Sequence, residues 1–179
     1  MRRKVEFIPH KCYNAFRNKK RDLSHAENKR DAPLDAKKIP YESFTYPPEI
    51  TDGEQVAGQL GEDPAAVFKT LVTVSDKGEH LVFCVPVCAS LDLKAAAKAA
   101  GVKSAAMIKQ KELEPLTGYV HGGCSPVGMK KRFRTFIDAS AQDHAQIFVS
   151  AGKLGHQMKL SPEALAAFCG AAFAPLKTE

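Results

Sequence analysis

VFKTLVTVSDKGEHLVFCVPV, residues 67–87, decides the fold. Two runs rich in β-formers, 67–74 and 81–87, flank Ser75-Asp76-Lys77-Gly78-Glu79, a segment with hairpin-turn chemistry. They predict two antiparallel neighbours in a sheet. Because side chains alternate along a strand, Val67, Lys69, Leu71 and Thr73 share one face, while Phe68, Thr70, Val72 and Val74 share the other. Lys69 is the anomaly. An ammonium in the middle of an apolar strand needs an anion, a carbonyl or water at the end of its stem. Spacing alone leaves two readings open: a lysine snorkelling at a sheet edge, or a lysine in a ligand site.

Upstream of the hairpin, residues 39–46 are rich in β-formers and are stopped by Pro47-Pro48, which predicts a strand. Thr51-Asp52-Gly53-Glu54 has the spacing of a capping box and opens a helix through Val56, Ala57 and Leu60 that Gly61 closes. Downstream, Asp92 caps an alanine-rich helix over 93–100 that ends at Gly101. Its alanines at 95, 96, 99 and 100 suit close packing on a sheet. Residues 109–116 predict a further short helix, which Pro115 should shorten. Segments 135–138, 147–150 and 157–160 read as strands. Ser161-Pro162-Glu163 supplies an N-cap, an N1 proline and a first-turn acid for a last helix through Phe168, ended by Gly170. This order predicts an α/β chain of the α+β type, with a mixed, largely antiparallel sheet and helices packed on it.

A chain of 179 residues with 44% hydrophobic content is long enough for one domain with a real core and short for two. The formal charge of +6 is compatible with a nucleic-acid partner. Five cysteines at 12, 84, 88, 124 and 169 form no disulfide framework, and there is no signal-peptide pattern or 18-residue apolar run. The chain therefore reads as cytoplasmic and reduced, with no membrane association. Residues 1–27 are basic and polar, with Arg2-Arg3-Lys4 and Lys19-Lys20-Arg21 clusters. They read as a loosely ordered extension, with an RNA-contacting arm as the sharper alternative.

The second informative stretch is TGYVHGGCSPVGMKKR, residues 117–132. Adjacent glycines, a Ser-Pro turn, a third glycine and a basic end make an anion-handling loop. Gly123 and Gly128 have P-loop spacing, but Met129 stands where the lysine belongs and no Ser or Thr follows Lys130, which argues against nucleotide hydrolysis. Ser125 has Gly123 two residues before it and Val127 two after, so the nucleophile elbow is broken and Ser125 reads as a turn residue. His121, Cys124 and Cys84-x-x-x-Cys88 do not assemble the ligands of a metal site, and neither a metal nor another cofactor is expected.

The run GYVHGGCSPVGMKK, with Phe136-Ile137-Asp138 and Val149-Ser150-Ala151-Gly152 after it and Phe68-Lys69-Thr70-Leu71 and Leu91-Asp92-Leu93-Lys94 before it, resembles the YbaK/EbsC family of free-standing aminoacyl-tRNA deacylases. The resemblance covers roughly residues 28–172, and the deacylase domain is expected over 28–179. It is strongest to the branch that clears cysteine from proline tRNA, related to the editing domain of bacterial prolyl-tRNA synthetases. It implies a curved, partly closed sheet with the pocket between the lysine strand and the glycine loop. It also implies that Lys69 is the essential active-site residue, acting with Gly122 and Gly123, and that Tyr46, Ser125, Ser150 and Gly152 bind substrate. His121, Cys124 and Gln157 depart from the family pattern, and Gln157, where relatives often carry an acid, is assigned no catalytic role.

An aminoacyl ester is already an activated acyl group, so positioning and electrostatics suffice. The N–H groups of Gly122 and Gly123 are expected to bind the carbonyl oxygen, and Lys69 to hold the terminal ribose and phosphate or the aminoacyl group. The resemblance adds that the substrate's own thiol attacks the ester. Lys130, Lys131 and Arg132 read either as contacts to acceptor-stem phosphates or as a solvated basic turn. The expected partners are aminoacylated tRNA and prolyl-tRNA synthetase. Two alternatives stand: a deacylase for alanyl-tRNA or other small aminoacyl-tRNAs that uses an activated water, and a non-catalytic RNA-binding module.

Overall fold

The hairpin forms on its turn chemistry. Strand β2 (Val67–Ser75) pairs antiparallel with β3 (His80–Pro86), with Lys69 opposite Val85 and Leu71 opposite Phe83. Ser75 Oγ accepts from the N–H groups of Lys77 and Glu79, and Gly78 takes a φ of 78° to close the turn. This computed structural model describes residues 32–178, so the basic extension expected over residues 1–27 lies outside the described residues.

Before the hairpin come α1 (Ala32–Ala36), β1 (Glu42–Thr45) and α2 (Gly53–Leu60). After it come α3 (Leu93–Ala100), β4 (Ala105–Met107), α4 (Gln110–Thr117), β5 (Arg134–Asp138), β6 (Ile147–Ser150), β7 (His156–Leu160), α5 (Pro162–Cys169) and β8 (Ala172–Ala174). The strands form one sheet in the order β1-β7-β6-β2-β3-β5-β8, with β4 paired to β2. Four pairings are antiparallel (β1/β7, β2/β3, β2/β4, β6/β7) and three are parallel (β2/β6, β3/β5, β5/β8), so the sheet is mixed.

Local signals placed four of the five α-helices among the described residues, and α1 was not expected. Asp92 caps α3 through Lys94 and Ala95, and Ser161 caps α5 through Ala164. At α2 the cap is Asp52, which accepts from Gln55 N–H, one residue later than the capping-box spacing predicts. In α3 the buried alanines are Ala96, Ala97 and Ala100. Pro115 does not cut α4 short, and the helix runs to Thr117. The proline removes one bond in an exposed turn, and Thr117 Oγ1 donates to Leu113 O at 2.7 Å to hold the end. Strand β1 is shorter than expected because Pro40 has no N–H for the ladder, while at its other end Tyr46 N–H still donates to Gly155 O at 2.9 Å, one register step past Thr45.

Each face of the sheet buries its own clusters. On one, Val67, Phe148, Ala57 and Val87 pack under α2, and Leu81, Phe83, Val85, Ala96 and Phe136 pack under α3. On the other, Phe68, Cys84, Val149, Met158, Leu160 and Leu165 form the largest cluster, extended by Val72, Val82, Tyr119 and Cys124. The first is called the α2 face below.

Candidate active site

Strand β2 changes partner along one flank. It pairs with β6 through Val67 and Phe68 only, then with β4 from Thr73 onward. Residues 69–71 face no strand there, which opens a crevice where two parallel strands diverge. Crevices of this kind, at the carboxyl ends of parallel strands, are where α/β sheets bind ligands.

The register fixes what lines it. Val67 is level with Phe148, so Lys69 is level with Ser150, two residues along each strand. Ser150 pairs with Gln157, which pairs with Phe44. Lys69, Ser150 and Gln157 thus form one polar row across three neighbouring strands on the α2 face, with about 4.8 Å between strands. Lys69 is half-buried, and its Nζ donates to Val87 O at 3.3 Å, the carbonyl partner such a lysine requires. Ser150 is buried, and its Oγ accepts from Gly152 N–H at 3.2 Å while keeping its own proton to donate.

The glycine loop reaches this row from the opposite face. Tyr119, Cys124 and Val127 anchor it among core residues there, and Tyr119 O–H donates to Val127 O. Gly122 crosses over. With φ of 80°, it sits where a Cβ would come within 3.2 Å of Thr51 Cβ and Leu154 Cδ2. Thr51 leads into α2, whose first residue, Gly53, abuts Val87 so closely that a Cβ would lie 2.5 Å from its Cγ1. A continuous set of contacts therefore joins Lys69, through Val87 and the start of α2, to Gly122 and the loop after β6.

The predicted residues divide. Lys69, Ser150, Gly152 and Gly122 lie around the crevice, and Tyr46 is tied to its far loop through Gly155. Gly123 N–H donates to Val120 O at 3.1 Å, so the expected pair of oxyanion donors is reduced in this conformation to Gly122, whose N–H donates to no group among the described residues. Ser125 is 1% exposed and its Oγ accepts from Val127 N–H at 3.2 Å, which makes it a strut of the loop rather than a surface for substrate. Lys130, Lys131 and Arg132 are all exposed. Lys130 lies along Gly118 and donates to Glu114 O at 3.4 Å, whereas Lys131 and Arg132 line a cleft of about 180 Å³ with Met129, Phe133 and Phe168. A second cleft, of about 460 Å³, lies beside Val120, His121 and Lys111. Neither cleft includes Lys69.

Sequence reasoning missed two residues that shape the crevice and assigned a third, Gln157, no catalytic role. Thr51 and Leu154 wall Gly122, and no local motif marks them. Gln157 is 6% exposed, and its Oε1 has no hydrogen-bond partner among the described residues. The alternation His156-Gln157-Met158 marks its face, but only the pairing with β6 puts it beside Ser150.

Cys84 and Cys124 are poor nucleophiles. Burial pushes the Cys124 thiol up to about 12 and the Cys84 thiol further still, so neither supplies thiolate near neutral pH. Cys84 and Cys88 do not share a strand face, since β3 ends at Pro86 and Cys88 is exposed beyond it. Among the described residues, no three His, Cys, Asp or Glu side chains are grouped to hold a metal ion, and no helix is long and apolar enough to cross a membrane.

Against known proteins, residues 47–168 match the family pattern of the aminoacyl-tRNA editing domain. The chain is 44% identical over 144 residues to EbsC of Enterococcus faecalis, named as a Cys-tRNA(Pro)/Cys-tRNA(Cys) deacylase, covering 79% of this chain and 88% of that protein. A solved structure described as a trans-editing enzyme for prolyl tRNA synthetase superposes with a TM-score of 0.76 at 24% identity, over 83% of this chain and 94% of that one. Another, described as hypothetical protein APE2540, gives 0.78 at 20% identity, over 84% and 100%. These two likenesses establish a shared fold. With the family pattern spanning most of the described residues, and 44% identity to EbsC over 144 residues, the chain belongs to the aminoacyl-tRNA editing domain family.

Proposed function

We propose that this protein deacylates cysteinyl-tRNA(Pro) in trans, hydrolysing cysteine from the 3′ end of a proline tRNA that prolyl-tRNA synthetase has mischarged. The observation that carries the reading is the crevice itself, where a lysine and a glycine loop meet at a split in the sheet, in a chain 44% identical to a protein named for that activity. Lys69 exchanges its bond to Val87 O for the oxygens of the terminal ribose and phosphate or the aminoacyl group. Gly122 N–H faces the carbonyl oxygen as negative charge develops on it. Lys131 and Arg132, exposed just past the loop, meet acceptor-stem phosphates.

The protein contributes no nucleophile. The substrate thiol loses its proton and its sulfur attacks the ester carbonyl carbon. The bond to the ribose oxygen breaks, that oxygen takes up a proton, and water then opens the cyclic thioester to free cysteine. Reactivity thereby selects what shape cannot, because a pocket distinguishes a methylene-sized difference by only about 1–3 kcal/mol. Single-turnover cleavage of cysteinyl- and alanyl-tRNA(Pro) tests this. Much faster loss of cysteine is the expected result. Equal rates would make water the attacking group and place the protein among alanine-clearing enzymes, and no cleavage of any mischarged tRNA would leave an RNA-binding module.

A further inference from the structure

The glycine loop has a second side. Val120, His121, Gly122 and Gly123 make a tight turn, closed by Gly123 N–H donating to Val120 O at 3.1 Å, with Gly122 at a φ of 80° in the third position, where a type II turn requires a positive φ. His121 is the corner residue of that turn, and its side chain is exposed. The peptide that joins it to Gly122 carries the N–H assigned above to the ester carbonyl, so the two Cα atoms are about 3.8 Å apart. His121 and Val120 line the cleft of about 460 Å³, together with Tyr119 and with Gln110, Lys111 and Glu114 of α4. Its chemistry differs from that of the cleft beside Lys131 and Arg132, which has two cations and no acid. Here one cation, Lys111, stands against one anion, Glu114, with a neutral amide at Gln110. No hydrogen bond or ion pair among the described residues occupies those three side chains.

We propose that this cleft binds the base of the 3′-terminal adenosine of the aminoacyl-tRNA, stacked on the His121 ring and Val120, with its edge read by Gln110 and Glu114. The inference rests on the deacylase reading above. The scissile ester and the base are carried by the same ribose, so a carbonyl held at Gly122 N–H brings the base beside the turn. A phosphate is a poor match for the lining, because the Glu114 carboxylate repels it and offsets Lys111. A neutral base fits. Unpaired bases are recognised by stacking on histidine and other aromatic rings and by hydrogen bonds along their edges. Glutamine pairs with both the N6 amine and N7 of adenine, and a carboxylate accepts from the same amine. Val120, 43% exposed, adds an apolar surface to the platform. The turn is set in place before substrate arrives, since Tyr119 is buried and its O–H donates to Val127 O. Every tRNA ends in adenosine, so the contact serves substrate binding and not the choice among tRNAs.

The test uses the full chain and two small esters, 3′-O-cysteinyl adenosine and the cysteinyl ester of the same ribose without its base, as a double-mutant cycle with His121→Ala. The substitution removes an exposed ring and should leave the thermal midpoint unchanged. It should lower kcat/KM on the adenosine ester roughly five- to hundredfold, the span of one base stacked on an aromatic side chain, mostly through KM. The baseless ester should react at the wild-type rate, and adding Gln110→Ala should remove the preference for adenosine that remains. Equal losses on both esters would give His121 a role in the chemistry or the shape of the loop, and no loss on either would leave the cleft without a part in binding. Each result overturns the proposal, as does wild-type protein that cleaves both esters equally well. Failure of the deacylase reading looks different, because wild-type protein would then cleave neither these esters nor cysteinyl-tRNA. In that case binding of the uncleavable 3′-amide of cysteinyl adenosine still decides the cleft. Tighter binding than that of the baseless amide, lost in His121→Ala, supports it, and equal binding of the two amides by wild type refutes it.

Discussion

The β2–β6–β7 part of the sheet carries two chemistries on one backbone. On one face Phe68, Val149, Met158 and Leu160 pack together, each no more than 2% exposed. On the other, one residue along each strand, stand Lys69, Ser150 and Gln157. The first arrangement is what a sheet adopts for stability, and the second works against it. A lysine stem, a hydroxyl turned back on its loop and an orphaned amide oxygen contribute little to folding. The polar row lies where β2 has left β6 and not yet met β4, the one stretch of that strand with an open flank. The candidate site and the core are thus separated by the pleat of a single strand, and neighbouring substitutions should fail in different ways.

The largest effect is expected from Lys69→Ala set beside Phe68→Ala. Lys69→Ala should abolish deacylation of cysteinyl-tRNA(Pro) while the protein keeps its unfolding midpoint, because it removes a half-buried cation and no core packing. Phe68→Ala should cost about 3–5 kcal/mol of stability, since it empties a fully buried aromatic site. Any activity that remains should track the folded fraction. Chemical denaturation and single-turnover rates on both variants make the comparison. A folded Lys69→Ala protein that turns over at the wild-type rate would remove Lys69 from the mechanism.

Next is Gly122, where the loop passes from the core face to the polar row. Gly122→Val should lower the rate by at least the ~100-fold typical of losing one oxyanion donor. The added side chain meets Thr51 and Leu154 at 3.2 Å and cannot relax at a φ of 80°. Gly61→Ala is the control, with a similar φ of 71° and nothing within 4 Å of an added Cβ. It should cost only about 1 kcal/mol of stability and leave catalysis alone. If the two variants lose activity alike, the loop is a structural turn.

The sequence revealed the core face more readily than the polar row, for a physical reason. The hairpin, α3, α5 and residues 147–150 are specified by alternation, caps and turns within a few residues, and they form where those signals place them. The polar row depends on a parallel pairing between residues some eighty positions apart, which no local pattern encodes. Lys69 was legible because a charge interrupting an apolar strand is anomalous in any context. Gln157 stood out only as a departure from the family pattern, because a glutamine in an alternating strand looks like an ordinary solvent-facing residue until its neighbours are known. Ser125 shows the converse: Ser-Pro between glycines reads as an exposed turn, yet the turn is folded into the interior. Strands β4 and β8 left no signal, being three residues each and largely alanine.

The smallest effect concerns the loop that carries Ser150 and Gly152 back into β7. His156 closes it, donating its N–H to Lys153 O at 3.2 Å and accepting from Ala151 N–H at 3.1 Å. Partial burial, then the nearby Lys153 ammonium, holds its imidazole below the ordinary value of 6.5. For a base whose folded value is depressed, the linked stability is fully present above the unfolded value. It is lost as pH falls through 6.5 toward the folded value, because the unfolded chain takes up the proton first. Urea midpoints at about pH 7.5 and 5.5, either side of the ordinary histidine value, should therefore fall for wild type and fall less for His156→Gln. Because the imidazole belongs to the site-bearing loop, the rate on cysteinyl-tRNA should decline over the same interval in wild type more than in the variant. A variant whose midpoint depends on pH as steeply as wild type would assign that dependence to groups elsewhere in the fold.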